Sequence, residues 1–329
     1  MRILVTGGTG FVGYNLVPAL QAQGHEVVCL IRSTSNTALL DEIGGVAYRI
    51  GELRDPASLR AALEGVDAVI HLAGVVKAVG RDGYFEVNTE GTRNLIEAVR
   101  ETGARLKRLV FVSSLAAGGP TRPGVLRTEQ DEDRPVTHYG RSKKAAEEIL
   151  LEHREEIPSV ILRPATVYGP ADVALLGFFR SARRGLRVRF LFRDLALGVI
   201  YAEDLATAIV RALVSQLPSG DLFYVSDGAE YRLGEIQRVI GEALGNTTRR
   251  VPVPRAALFP AAAASELWMR MTGRARFLNW QKIIETVQPA WTCSPQKLET
   301  RTGFRARYDL VEGACATAEW YRSRGWLER

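Results

Sequence analysis

Tyr139 and Lys143 stand four residues apart in Tyr139-Gly140-Arg141-Ser142-Lys143. On a helix that spacing puts both side chains on one face. A free tyrosine ionises near pH ~10 and is a poor acid–base group at neutral pH. A cation beside it favours the phenolate and lowers that barrier, so the pair could move a proton. A Tyr-x-x-x-Lys pair is common by chance, and its meaning depends on its surroundings. The run ending in Ser113-Ser114 supplies one such neighbour, because Ser114 is a natural hydrogen-bond partner for a carbonyl or hydroxyl.

A second chemical feature is Thr6-Gly7-Gly8-Thr9-Gly10-Phe11-Val12-Gly13. The glycines at 7, 10 and 13 permit a tight strand-to-helix turn and close approach of a ligand to the backbone. The helix that follows directs free N–H groups and its positive dipole end at that turn, which suits a pyrophosphate. A Gly-rich motif gains weight when it follows a strand and opens a helix, as here. The next strand ends at Ile31-Arg32-Ser33. An acidic residue there would hold ribose hydroxyls, whereas Arg32 can pair with a 2′-phosphate, which tilts the expected cofactor to NADP(H) with NAD(H) as the alternative.

These residues need a scaffold. Strand-like runs are predicted at 2–6, 26–31, 47–50, 68–72, 108–113 and 159–163, and again at 221–225. Helices are predicted at 12–23, 57–63, 86–101, 139–154 and 233–244. Strands that are apolar throughout are buried on both faces, which implies a parallel sheet covered by helices. The alternation gives an α/β, doubly wound parallel sheet. Residues 1–170 read as a dinucleotide-binding domain. Residues 171–329 read as a smaller C-terminal substrate-capping region, partly returning to the main sheet.

Composition narrows the function classes. The chain has 329 residues, 46% of them hydrophobic and 24% charged, with a net charge of +6. That excess is too mild for a nucleic-acid binder. Cys29, Cys293 and Cys315 are far apart and odd in number, which argues against a disulfide framework and for a reducing cytosol. Neither they nor the four histidines have metal-ligand spacing, so no metal is expected. No secretory leader and no spanning helix are expected either. The stretch 180–193 carries six arginines among Phe and Leu, and 256–271 reads as an apolar helix. A solvated helix face followed by a strand explains the first; peripheral contact with the inner face of a membrane is the alternative.

Taken in order, Gly7/Gly10/Gly13, His71-Leu72-Ala73-Gly74, Asn88-x-x-Gly91-Thr92-x-Asn94, Ser113-Ser114, Tyr139-x-x-x-Lys143 and Arg163-Pro164-x-x-Val167-Tyr168-Gly169-Pro170 resemble the extended short-chain dehydrogenases/reductases. This superfamily includes NAD-dependent epimerases/dehydratases, dihydroflavonol reductases and 3β-hydroxysteroid dehydrogenases. The resemblance implies a Rossmann-type fold and a catalytic triad of Ser114, Tyr139 and Lys143. It also implies that Glu52 and Leu53 lie near the adenine, and that Leu72, Ala73, Gly74 and Ser113 line the cofactor groove. Asn88 would position the central helix, and Pro164, Thr166 and Val167 would approach the nicotinamide. A homodimer through 86–101 and 139–154 is usual for relatives.

Sugar-nucleotide members carry an arginine for the substrate diphosphate where this chain has Leu197. The expected reaction is therefore interconversion of a ketone and a secondary alcohol on a hydrophobic, steroid-, terpenoid- or lipid-like molecule. A nucleotide-sugar epimerase/dehydratase is the alternative, and a non-catalytic dinucleotide-binding protein the third. Phe178, Phe179, Leu191, Phe192, Trp268, Met269, Met271, Phe277 and Trp280 are candidates for an apolar pocket.

Overall fold

The computed structural model describes residues 1–190, 194–276 and 279–328. The first half alternates strand and helix. It runs β1 (Arg2–Thr6), α1 (Phe11–Ala22), β2 (Glu26–Ile31), α2 (Ala38–Ile43), β3 (Val46–Ile50), α3 (Pro56–Leu63) and β4 (Ala68–His71). Then come α4 (Asp82–Phe85), α5 (Gly91–Glu101), β5 (Arg108–Val112), α6 (Leu115–Gly118), α7 (His138–Glu152) and β6 (Ser159–Pro164).

The second half begins with β7 (Thr166–Tyr168), α8 (Leu176–Arg183), β8 (Leu186–Phe190), β9 (Ala196–Leu197), β10 (Val199–Tyr201) and α9 (Ala202–Val214). It continues with β11 (Asp221–Val225), β12 (Tyr231–Arg232), α10 (Leu233–Ala243), β13 (Arg249–Val253) and α11 (Arg255–Thr272). It closes with α12 (Trp280–Thr286), β14 (Ala290–Trp291), α13 (Gln296–Thr302) and α14 (Leu310–Ser323).

Seven strands form one sheet in the order β11-β6-β5-β4-β1-β2-β3. Every pairing in it is parallel. This is the doubly wound Rossmann-type architecture that the strand–helix alternation leads one to expect. The order reverses between β1 and β4, and ligands of such sheets bind at the carboxyl ends of the strands flanking that reversal.

Alternation along each strand feeds two cores. In β1, Ile3 and Val5 pack with Leu16, Val17 and Leu20 of α1 and with α9. Leu4 points the other way, to Leu59 of α3, Leu95 and Val99 of α5, and Ile149 of α7. Each such burial contributes roughly 1.5–3 kcal/mol, so a one-residue slip would exchange the two faces at large cost.

Two expectations need correction. The helix at 86–101 is not uniform, because Glu86–Glu90 form a π-helical turn before α5. A π-turn inserts one residue into the helical ladder, and here it turns Asn88 inward to full burial. The pocket candidates also separate. Phe179 is core, edge-on to Tyr321, and Met269 is buried, whereas Met271 is 78% exposed. Leu191, Phe192 and Phe277 lie outside the described residues. Among the described residues, no helix is long and apolar enough to cross a membrane.

The basic stretch is α8 running into β8, and two of its arginines are tied down. Arg180 donates to the Trp326 carbonyl and Arg187 to that of Gly234, while Arg183, Arg184 and Arg189 are exposed. Arg193 lies outside the described residues.

Candidate active site

The turn from β1 to α1 forms one wall. Gly7 has φ +75°, and a Cβ on it would sit 2.7 Å from the Ala73 nitrogen. A Cβ on Gly13 would meet the Gly8 carbonyl oxygen at 2.2 Å. Only glycine lets this loop fold on itself and against the end of β4. Thr9, Gly10, Phe11 and Val12 remain partly open at the helix entrance. Helix α1 has no side-chain cap and no acidic residue in its first turn. Its free N–H groups fit an anionic group such as a pyrophosphate.

A buried relay joins this loop to the next wall. The Ala73 N–H donates to Thr6 Oγ1 at 3.3 Å, and Thr6 Oγ1 lies 2.6 Å from His71 Nδ1. On the other side His71 Nε2 lies 3.0 Å from Thr92 Oγ1, which donates to the Asn88 carbonyl at 2.7 Å. Thr92 has spent its only proton, so His71 must donate from Nε2 and accept at Nδ1 from Thr6. That is the neutral tautomer. Burial, with the Lys143 charge nearby, pushes the His71 pKa down to about 3.

A pH dependence follows from His71. Its folded pKa lies below the 6.5 of an unperturbed histidine, so the unfolded chain binds more protons between those values. This residue's contribution is intact above pH 6.5 and is lost by about 1.4 kcal/mol per pH unit as the pH falls below it. Urea midpoints of wild type and His71→Gln at pH values from neutral to moderately acid should converge as acid is added. Parallel lines would refute the assignment.

Asn88 then braces α7. Its Oδ1 accepts from the Val75 N–H at 2.7 Å, and its Nδ2 donates to the Val75 carbonyl and to Ser142 Oγ at 2.9 Å. Thr89 Oγ1 donates to the Ser142 carbonyl. The loop Leu72–Gly74 is thereby clamped against α7. A Cβ on Gly74 would lie 3.6 Å from Lys143 Nζ.

The structure brings Ser114, Tyr139 and Lys143 together. Ser114 follows β5, and its hydroxyl caps α6 by accepting from the Ala116 N–H at 3.1 Å, close enough to Tyr139 to act on its charge. Burial pushes Tyr139 up to about 12, against the lowering effect of Ser114. Lys143 is buried, donates to the Val112 carbonyl at 2.8 Å and lies 4.3 Å from the centre of the Phe111 ring. Burial pulls its pKa down to about 7, and Glu147 opposes that shift. From the same face of α7, the Lys143 ammonium can respond to charge forming at Tyr139.

Other sequence candidates are placed differently. Arg32 is exposed just past the end of β2, two residues beyond the Leu30 that pairs with Thr6. Glu52 is exposed, and Leu53 packs under Gly91 while its carbonyl accepts from Asn94. Pro164 ends β6 in the core, and Thr166 and Val167 are half-buried in β7. Ser113 departs from the expectation. It is buried and gives its hydroxyl to Glu147, so its side chain serves the underside of α7 rather than the groove.

That underside is the part sequence reasoning missed. Arg163 donates to both oxygens of Glu147 and both of Asp133, and to the Tyr224 hydroxyl. Burial opposes the guanidinium charge, but the two carboxylates outweigh it and hold its pKa up. Arg163 stands in a motif quoted above, yet its partners lie 16, 30 and 61 residues away, beyond any local signal.

Residues 3–225 match the NAD dependent epimerase/dehydratase family. The chain belongs to that family. A ceramide reductase of Caulobacter vibrioides is 30% identical, over 99% of this chain and 96% of its own length. A 3 beta-hydroxysteroid dehydrogenase/Delta 5→4-isomerase of Mycobacterium tuberculosis is 29% identical over 74% of this chain and 70% of its own. The solved UDP-glucose 4-epimerase of Thermus thermophilus, in complex with NAD, matches with a TM-score of 0.80 at 26% identity, covering 98% of this chain and 99% of that one. The chain is an NAD(P)-dependent oxidoreductase of the extended short-chain dehydrogenase/reductase type. Among the described residues, no cluster of His, Cys, Asp or Glu is arranged to hold a metal.

Proposed function

We propose that this enzyme interconverts a ketone and a secondary alcohol on a hydrophobic, lipid-like molecule and prefers NADP(H). The observation that carries the substrate reading is the company Tyr139 keeps. It packs in one apolar cluster with Leu195, Leu197 and Trp291. Leu197 stands in β9 between Tyr231 and Trp291, and none of these three side chains carries a charge to hold a diphosphate. The ceramide- and steroid-named relatives support the same reading.

Residues 1–170 serve the cofactor and 171–329 the substrate. The glycine loop and α1 would hold the pyrophosphate, Arg32 the 2′-phosphate, and Leu72–Gly74, Pro164, Thr166 and Val167 would flank the nicotinamide, which would supply or accept the hydride. In reduction, Ser114 and Tyr139 grip the carbonyl oxygen and Tyr139 gives it a proton. Lys143 holds the nicotinamide ribose, and its cation stabilises the phenolate left behind. A panel of long-chain and steroid ketones should be turned over with NADPH, and nucleotide sugars should not. The reverse preference would restore the epimerase reading.

Arg32 carries the cofactor preference. A charge-assisted pair with a phosphate contributes roughly 1.5–3 kcal/mol. Calorimetric titration should show Arg32→Ala weakening NADPH binding by about ten- to a hundredfold and leaving NADH unchanged. Equal losses for both cofactors would make Arg32 an ordinary surface residue. The helices at 86–101 and 139–154 are the proposed homodimer contact, tested by the mass in solution.

A further inference from the structure

The arginines of this chain are unevenly placed. Segments 176–193 and 246–276 contain twelve arginines and one acidic residue, Glu266. The rest of the chain holds 31 basic and 36 acidic side chains, so the whole positive excess sits in these two segments.

The structure joins them. Strand β13 pairs in parallel with β8, from Arg249 opposite Leu186 to Val253 opposite Phe190, and then enters α11 directly through Pro254. Arg183, Arg189, Arg249 and Arg250 are exposed, and none has an ion-pair partner among the described residues.

Helix α11 is apolar on its outside apart from Arg270 near its C-terminal end. Its exposed positions include Ala256, Pro260, Ala263, Ala264, Leu267 and Met271, which fall on one face at helical spacing. Leu267 is 61% exposed. Its opposite face buries Ala262, Ser265 and Met269. At 18 residues the helix is about 27 Å long. An apolar face of that length marks an interaction surface.

The position of α11 relates this face to the chemistry. Helix α11 packs on α12, where the Phe259 and Trp280 rings lie 5.8 Å apart. Gln281 of α12 accepts from the backbone N–H of His138, the residue before Tyr139, at 2.6 Å. The Glu285 charge on the same helix is felt by Tyr139. The exposed apolar face is thus one helix removed from the catalytic tyrosine.

We propose that the outer face of α11, flanked by the arginines of the β8–β13 ribbon, seats the enzyme on an anionic phospholipid bilayer. The charge selects this occupant. A second copy of the chain would bring the same unpaired arginines against each other, whereas acidic headgroups neutralise them while the apolar face enters the acyl boundary. The geometry stands by itself; its use, delivery of a membrane-borne ketone to Tyr139, rests on the lipid-like substrate proposed above.

The test is co-sedimentation of the whole protein with phosphatidylcholine vesicles, with and without about 30% phosphatidylglycerol. Binding should require phosphatidylglycerol and fall with added salt. A surface arginine contributes about a factor of five, so Arg249→Glu/Arg250→Glu should weaken binding at least about tenfold. Ala263→Glu/Leu267→Glu should lose comparable affinity. Both variants should bind NADPH and reduce a short, water-soluble ketone as wild type does, which shows they are folded.

Absence of vesicle binding by wild type, or unaltered binding by both variants, would overturn the proposal. So would a solution dimer that Ala263→Glu/Leu267→Glu splits. Tyr139→Phe should bind vesicles normally. Vesicle binding lost only in the α11 and β13 variants supports the surface whether or not a lipid ketone is turned over. Failed turnover alone counts against the substrate reading.

Discussion

Tyr139→Phe is expected to lower kcat for ketone reduction by about 10²–10⁴-fold, the usual contribution of a positioned general acid. Burial has already pushed this hydroxyl up to about 12, so it stays protonated across the working pH range and is ready to donate. The variant removes one oxygen and leaves the ring in its apolar cluster with Leu197 and Trp291. Cofactor affinity should therefore change little, because the glycine loop and Lys143 are untouched. KM should rise modestly, since Ser114 still reaches the substrate oxygen. Stopped-flow single turnovers would place the loss in the chemical step. Retention of more than about a tenth of the activity would remove Tyr139 as the proton donor.

The parts of this site that could be read in the sequence are those encoded by local spacing. The glycines at 7, 10 and 13 follow a buried strand and open a helix, and Tyr139 and Lys143 share a helical face; both patterns need only neighbours in the chain. The seven-stranded sheet follows from runs such as Ile3–Val5, apolar on both faces because helices cover both. Helix α9 shows only a narrow polar stripe, Glu203, Thr207 and Arg211, because nine of its thirteen residues are buried. The two apolar sides of α11 look alike in sequence, so Met271 reads as pocket although it faces outward. Arg163 and Glu147 carry charges in the core, and only the fold shows that they neutralise one another.

That pair supports the second large effect. Glu147 lies one turn beyond Lys143 and is fully buried, bound to Arg163 and Ser113. Glu147→Ala leaves the Arg163 guanidinium in the core with Asp133 as its remaining acidic partner, and removing one member of a buried pair costs about 3–5 kcal/mol. Chemical denaturation should show that loss. Glu147→Gln keeps the shape and part of the hydrogen bonding, should cost less, and isolates the electrostatic role. Burial draws the Lys143 pKa down to about 7 while the Glu147 carboxylate holds it up. Neutralising that carboxylate moves the pKa of Lys143 lower still. Lys143 then loses its cation at lower pH, and the falling alkaline limb of the reduction rate shifts to acid. A purely structural role would reduce stability and leave that limb in place. An unshifted limb in Glu147→Gln would confine Glu147 to holding the fold, whereas an acid shift identifies it as the residue that keeps Lys143 charged for catalysis.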